Sequence, residues 1–209
     1  MSVAQPAALR CLLAALLWVA PGQAWAAELS PPLVLGATIL LPHTGGRIDH
    51  MAVDLRRGRL FVAELGNGTL DVIDIAGRRV VRRVSGLKDP QGVGYFPAAD
   101  VVSVASAGDG SVRLFRGEDL SPAGVIDLGG DADNVRVDPG SGQVFVGYGK
   151  GGLAMVDPAS RSVVSRAKLP AHPEGFGIDP AARRAYVNVP DAHQIAVVDL
   201  GTGRQTAAW

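Results

Sequence analysis

The chain has 209 residues, of which 47% are hydrophobic and 19% are charged, and it contains 27 glycines and 14 prolines but only 5% aromatic residues. This composition is typical of a globular protein rich in turns. Twenty basic residues balance twenty acidic ones without a long run of Lys or Arg, which argues against binding to nucleic acids or to anionic membranes.

Residues 1–26 have the features of a secretory signal peptide. A basic residue precedes the apolar run "CLLAALLWVA", and "PGQ" and "AWA" follow it. Small residues at the end of this segment predict cleavage between Ala26 and Ala27. The apolar run is too short to span a bilayer, so we expect a periplasmic or secreted protein without an integral membrane segment. An uncleaved membrane anchor is the alternative.

Four similar segments follow, and they predict an internal repeat. They begin at residues 49, 91, 133 and 174, and their aligned apolar anchors are spaced at intervals of 42, 42 and 41 residues. The anchors are Val53, Tyr95, Val137 and Ile178. A period this regular is characteristic of repeat architectures.

Each repeat contains four short runs that are rich in β-forming residues. The second run is the clearest, with "RLFVAEL", "DVVSVAS", "QVFVGYG" and "RAYVNVP" at equivalent places. Asn-Gly and Asp-Gly pairs after these runs predict type I′ hairpin turns. We therefore predict an all-β fold within residues 27–209: a β-propeller with about four blades of four antiparallel strands. The predicted blades are approximately residues 46–88, 89–130, 131–171 and 172–209.

Three stretches carry a resemblance to a known family. "AVDLRRGRLFVA", "VDPGSGQVFVGYG" and "IDPAARRAYVNVPDAHQIAVVDL" resemble the YVTN-type β-propeller repeat proteins, which are exported proteins of the YncE-like kind. Residues 186–189 stand at the family's naming tetrapeptide, with Asn and Val in place of Thr and Asn. The resemblance covers roughly residues 33–209 and implies an exported bacterial propeller. Such propellers include binding and scaffold proteins as well as enzymes, so the fold leaves the function open.

The two ends of the repeat region suggest an incomplete ring. The apolar run "LVLGATILLP", residues 33–42, is strand-like and precedes the first repeat. The resemblance implies that such a strand closes the ring in the last blade, yet the chain stops at "TAAW" within the fourth strand of the fourth repeat. We therefore expect a fragment of a seven-bladed propeller. A closed four-bladed ring is the alternative.

Aspartates recur one position after three of the anchors. These residues are Asp54, Asp138 and Asp179, and two of them are followed by Pro. An Asp side chain in this position accepts hydrogen bonds from backbone amides ahead of it. We interpret these aspartates as turn residues with a structural role.

Polar residues before and at the start of the first strand in each repeat form the candidate site. In a propeller this entry side faces the mouth of the central channel, where ligands commonly bind. The candidate ligand-binding residues are Asp49, His50, Gln91, Asp133, Asn134, His172 and Glu174.

The carboxylates in this set raise the possibility of a metal site. Asp49, Asp133 and Glu174 are candidate ligands for a divalent cation such as Ca²⁺, and an open coordination position would polarise a substrate carbonyl. The alternative is that these side chains cap strand ends and bind water. The sequence favours this alternative because no spacing here is as specific as a zinc motif.

The sequence favours an exported binding or scaffold module whose ligand, a small molecule or a protein, binds at the propeller face. The alternative is a metal-dependent lactonase or lyase that acts at the mouth of the channel. An accessory role in quinone- or haem-associated electron transfer rests on fold analogy alone. No catalytic residue is assigned.

Overall fold

The computed structural model describes residues 33–138 and 140–209. The predicted signal peptide and its cleavage site between Ala26 and Ala27 lie outside these residues. None of the described helices is long and apolar enough to cross a membrane. The strand expected at residues 33–42 is not formed, because no described strand pairs with this run and an isolated strand leaves its backbone groups without ladder hydrogen bonds.

The described residues form four antiparallel sheets, here called blades 1 to 4, in which the strands follow one another in chain order. Blade 1 contains β1 (Ile48–Asp54), β2 (Arg59–Glu64), β3 (Thr69–Asp74) and β4 (Arg79–Ser85). Blade 2 contains β5 (Pro90–Phe96), β6 (Val101–Ser106), β7 (Ser111–Arg116) and β8 (Pro122–Asp127). Blade 3 contains β9 (Ala132–Val137), β10 (Val144–Tyr148), β11 (Gly152–Asp157) and β12 (Ser162–Lys168). Blade 4 contains β13 (Phe176–Asp179), β14 (Arg184–Val189), β15 (Gln194–Asp199) and β16 (Arg204–Ala208).

The first strand of each blade is the inner strand. β1 contacts β5, β5 contacts β9, and β9 contacts β13, whereas the fourth strands are largely exposed. The all-β prediction, with four blades of four antiparallel strands, is confirmed. Because the inner strands run side by side in the same direction, residues at equivalent positions of different repeats come close to one another.

Apolar layers between neighbouring blades hold the inner strands in place. One layer joins each successive pair of blades, and its side chains come from both sheets. Fully buried pairs across the three layers are Phe61 with Val102, Leu114 with Val146, and Phe145 with Val187. Each blade thus buries its faces against its neighbours, as in other repeat proteins.

The predicted aspartate turns are present at the end of the inner strands. Asp54 accepts a hydrogen bond of 3.0 Å from the backbone N–H two residues ahead. Asp138 does the same at 2.9 Å, and Asp179 accepts at 2.9 Å from the N–H three residues ahead. The structural interpretation of these three residues is confirmed.

The type I′ prediction for the hairpins is wrong. The turn between β2 and β3 is a 3₁₀ turn over Leu65–Asn67 that ends at Gly68, which has a φ of 64°. The turn between β14 and β15 has the same form, with a φ of 51° at His193. A type I′ turn needs two successive residues with positive φ and serves a two-residue loop, whereas these longer loops need only one left-handed residue.

Candidate functional site

Each inner strand carries a β-bulge at the same place. In β1 the register shifts between Ile48 and Met51, so two residues oppose one residue of β2. β5 shifts in the same way between Pro90 and Val93, and β9 shifts between Ala132 and Val135. A bulge turns a side chain away from its regular direction, and bulges are enriched beside active sites.

Blade 4 repeats the bulge just before β13. The N–H of Glu174 donates to the Asn188 carbonyl at 2.9 Å, and the Asn188 N–H donates to the Gly175 carbonyl at 3.0 Å. Two inner residues therefore again oppose one residue of the second strand. All the predicted site residues except His172, which lies two positions before the fourth bulge, occupy bulge positions: Asp49, His50, Gln91, Asp133, Asn134 and Glu174.

A glycine brings two of the bulges together. A Cβ atom at Gly92 would overlap the carbonyl oxygen of Asp133 and the side chain of Val135. Only glycine fits such a close approach between backbones. The bulge of β9 therefore lies directly against the bulge of β5.

Three candidate residues converge at the bulged ends of the inner strands, which we call the mouth. One potential ligand atom each from Asp49, His50 and Asp133 lies within 4.8 Å of the other two. His50 Nδ1 is 3.6 Å from Asp49 Oδ1. The Asp133 side chain is only 8% exposed, while the side chains of Asp49 and His50 are 21% and 26% exposed. A nearly buried carboxylate thus shares a small space with a second carboxylate and an imidazole.

The Gln91 carboxamide lies between the two carboxylates. With its nitrogen turned toward them, Gln91 donates to Asp49 Oδ2 at 2.9 Å and to Asp133 Oδ1 at 3.3 Å. Arg47, which the sequence analysis did not select, donates to Asp49 Oδ2 at 3.0 Å from an exposed position. Arg47 lies two residues before Asp49, and the other repeats have Asp89, Asp131 and His172 at this place. No shared residue type therefore marks this position in the sequence.

The ring of His172 approaches Asp133 from the other side. Its Nδ1 atom lies 2.6 Å from the Gly149 carbonyl oxygen. Because a carbonyl can only accept, Nδ1 carries the proton and donates. The Nε2 atom lies 3.9 Å from Asp133 Oδ2, and Asp131 Oδ2 is 3.5 Å from Nδ1. In the neutral ring, Nε2 is left with a free lone pair near the carboxylate.

Two predicted residues contribute no ligand atom to this group. Glu174 is exposed, and Asn134 is buried. Among the described residues, the ligand atoms that converge come from Asp49, His50 and Asp133. The third member of the group is therefore the imidazole of His50 and not the Glu174 carboxylate that the sequence predicted.

The surroundings of Asp133 disfavour its ionised form. Burial raises the pKa of the Asp133 carboxyl, and the negative charges of Asp49 and Glu174 raise it further. The nearby rings of His50 and His172 oppose this rise without cancelling it. A cationic group placed at the mouth would relieve the repulsion between the carboxylates.

Comparisons with known proteins add support for the fold. No family model matches the chain, and no curated protein matches it. Among solved structures, Kuenenia stuttgartiensis hydrazine synthase superposes with a TM-score of 0.70 at 15% sequence identity. The match covers 84% of this chain but only 52% of that one, so the chain spans about half the length of this neighbour. The likeness establishes the fold alone, that of β-propeller blades.

Proposed function

We propose that the chain is an exported β-propeller binding module, of the kind found among YVTN-type repeat proteins, that holds its ligand at the mouth of the inner strands. The observation that carries this proposal is the repeated bulge, which places Asp49, His50, Gln91 and Asp133 side by side. Polar groups that converge on one point fix the orientation of a small-molecule ligand in its site.

The chemistry of the mouth favours a cationic or hydrogen-bond-donating ligand. Asp49 and Asp133 supply carboxylate oxygens, and burial together with the charges of neighbouring carboxylates raises the pKa of Asp133. The Nε2 lone pair of His172 adds a further acceptor. Ammonium groups and polyols present donors that would satisfy these acceptors.

A panel of compounds tests this proposal by thermal stabilisation of the purified chain. The panel contains primary amines, guanidines, polyols and hydroxy acids. A ligand that binds the folded state raises the melting temperature by mass action. We expect at least one amine or polyol to stabilise the wild type but not Asp133→Asn. Glu118→Gln is the matched control, because Glu118 is exposed on blade 2 away from the mouth.

The panel can also reject the proposal. If no compound gives stabilisation that depends on Asp133, the mouth is not the binding site. Equal stabilisation of wild type and Asp133→Asn would instead indicate binding elsewhere on the blades.

Export is a separate part of the proposal. It rests on the apolar segment and small residues at the start of the sequence. We expect N-terminal sequencing of protein from the periplasm or medium to begin at Ala27. Recovery of intact Met1 in the membrane fraction would contradict export with cleavage.

A metal-dependent lactonase or lyase is the second candidate. The grouping of Asp49, His50 and Asp133 favours it, since a metal with an open position polarises a carbonyl. Lactone hydrolysis that EDTA abolishes and added metal restores would support this activity. Hydrolysis that is absent, or that persists unchanged in EDTA, would leave the binding function alone.

A further inference from the structure

Two polar atoms at the mouth have no adequate partner. His50 Nδ1 is buried and has no hydrogen-bond partner among residues 33–138 and 140–209. Within the same residues no Arg or Lys pairs with Asp133, and its Oδ2 atom accepts no hydrogen bond, the nearest ring nitrogen being 3.9 Å away. Unsatisfied buried groups are rare in native proteins and commonly mark an ion or a water. Of the two atoms, His50 Nδ1 is the buried unsatisfied one, and one ligand atom of His50 lies within 4.8 Å of one carboxylate oxygen of Asp133.

The spacing of these atoms suits a single metal ion. In a tetrahedral site with metal–ligand distances of about 2.0–2.2 Å, neighbouring ligand atoms lie about 3.3–3.6 Å apart. His50 Nδ1 and Asp49 Oδ1 are 3.6 Å apart. One ligand atom each from Asp49, His50 and Asp133 lies within 4.8 Å of the other two. Small side-chain rotations would bring all three atoms to the distance that one metal ion requires.

His172 lies beside these three residues but outside the group whose ligand atoms are within 4.8 Å of one another, so its side chain must move closer to act as a fourth ligand, and its ring is already oriented for this. Its Nδ1–H donates to the Gly149 carbonyl, which fixes the tautomer and directs the Nε2 lone pair toward Asp133. Metal-binding histidines almost always hold their other ring nitrogen in such a hydrogen bond. The carbonyl belongs to the hairpin after β10 and is not one of the ligands.

We propose that Asp49, His50, Asp133 and His172 bind one divalent transition-metal ion of the Zn²⁺ class. Two imidazole nitrogens and two carboxylate oxygens select such an ion over Ca²⁺ or Mg²⁺, which prefer oxygen ligands throughout. This inference rests on the mouth being the binding site and names its ligand. It also replaces the ligand set expected from the sequence, because His50 and His172 take the place of Glu174.

The test begins with the purified chain, stripped with EDTA and dialysed. Zn²⁺ is titrated with elemental analysis for stoichiometry, and Co²⁺ is used as a spectroscopic probe, because its visible absorption reports tetrahedral coordination. We expect one ion per chain in the wild type. Asp133→Asn and His50→Gln should each weaken binding by at least about 100-fold, above the range for outer-shell changes. Glu118→Gln should bind as the wild type does, and Glu174→Gln should weaken binding by less than about 10-fold, because Glu174 contributes only a nearby charge and no ligand atom.

His172→Gln separates a ligand from a bystander. Loss of a ligand should weaken Zn²⁺ binding and change the Co²⁺ spectrum, whereas loss of a neighbouring ring would leave the spectrum unchanged. If His50→Gln does not fold, as judged by its melting curve, Asp49→Asn removes a different ligand and should show the same loss.

Several outcomes overturn the inference. They are the absence of bound Zn²⁺ in the wild type, wild-type affinity in the Asp133 and His50 variants, or Ca²⁺ binding that depends on Glu174. If the wild type binds no Zn²⁺ while an amine or polyol stabilises it but not Asp133→Asn, the metal inference fails and the proposed binding function stands. If the mouth variants change neither metal nor compound binding, both fail.

Discussion

At the ends of the inner strands remote from the mouth, Arg57 donates to Asp54 at 2.8 Å and to both oxygens of Asp100 at 2.7 and 2.6 Å. The Tyr95 hydroxyl donates to Asp100 at 2.9 Å and accepts from Arg57 at 3.1 Å. At the mouth, the nearly buried Asp133 has one long hydrogen bond, from a glutamine, and no Arg or Lys partner among the described residues.

The pKa values show the same contrast. Hydrogen bonds from Arg57 lower the pKa of Asp100, and they lower the pKa of Asp54 in spite of its burial. Burial raises the pKa of Asp133. At the remote end, Arg57 pairs with carboxylates of blades 1 and 2. At the mouth, Asp133 forms no ion pair with an Arg or Lys among the described residues. Perturbed pKa values occur in structural ion-pair networks as well as at functional sites, and what sets the mouth apart is that the shift of Asp133 accompanies the grouping of Asp49, His50 and Asp133.

The largest effect on stability is expected at the remote end. Asp54→Asn removes the charged acceptor of Arg57 and should lower the free energy of unfolding by about 2 kcal/mol, the usual value of a hydrogen bond to a charged group. Asp138→Asn is the matched control, because Asp138 holds the same turn in blade 3 through Ser141 and has no arginine partner among the described residues. Denaturant unfolding should show a smaller loss, about 1 kcal/mol, in the control. Equal losses would mean that Arg57 contributes nothing beyond the turn.

A smaller loss is expected from Tyr95→Phe. The change removes the hydroxyl that bonds Asp100 and Arg57 but keeps the ring that packs 5.7 Å from Phe61, measured between centroids. The free energy of unfolding should fall by about 1 kcal/mol. A loss as large as that of Asp54→Asn would show that the hydroxyl organises the whole network.

At the mouth we expect the opposite change, an increase in the free energy of unfolding. Asp133→Asn removes a nearly buried charge that forms no ion pair with an Arg or Lys among the described side chains, although the charge of Arg136 acts on it. Because burial and the nearby carboxylates still raise the pKa of Asp133, in EDTA the free energy of unfolding should rise by about 0.5 kcal/mol. Glu118→Gln makes the same charge change at an exposed position and should have no effect. Destabilisation by Asp133→Asn would mean that its carboxylate already has a favourable partner.

The smallest expected effect is how the stability changes caused by Asp54→Asn and Asp133→Asn vary between pH 7 and pH 4. The two variants should differ in this respect. A carboxyl whose folded pKa is lowered stabilises above its unfolded pKa, about 4, and this contribution is lost only as the pH falls through the folded value. The deficit of Asp54→Asn should therefore persist at pH 4. A raised folded pKa penalises the ionised form, and this penalty disappears as the pH falls to about 4. The gain of Asp133→Asn in EDTA should vanish there, and a gain unchanged between pH 7 and 4 would contradict the assignment.

The sequence predicted the blades well because the repeat encodes them several times. Alternating apolar residues recur in all four units and the aspartate turns recur in three, so an error in one unit is corrected by the others. The bulges could not be predicted in this way. A bulge adds one residue to a strand without a special residue type, and its effect depends on pairing with the next strand.

The predicted ligand set missed features that depend on three-dimensional contacts. Alignment placed Glu174 beside Asp49 and Asp133, yet it is exposed while His50 joins the group. Arg47, which donates to Asp49, has no basic residue at the equivalent place in the other repeats, so the repeat pattern did not identify it. The tautomer of His172 follows from the Gly149 carbonyl, which lies on a distant hairpin.

The bulges also make the mouth open to re-engineering. Bulge residues lie outside the regular ladder, so exchanging a dipeptide there alters the chemistry of the mouth while leaving the blade cores alone. Gly92 forbids any side chain, whereas a Cβ at Gly175 would meet no atom within 4 Å. Blade 4 is therefore the place where a new ligand group can be grafted without moving the backbone, and a propeller of this kind can diversify its specificity one repeat at a time.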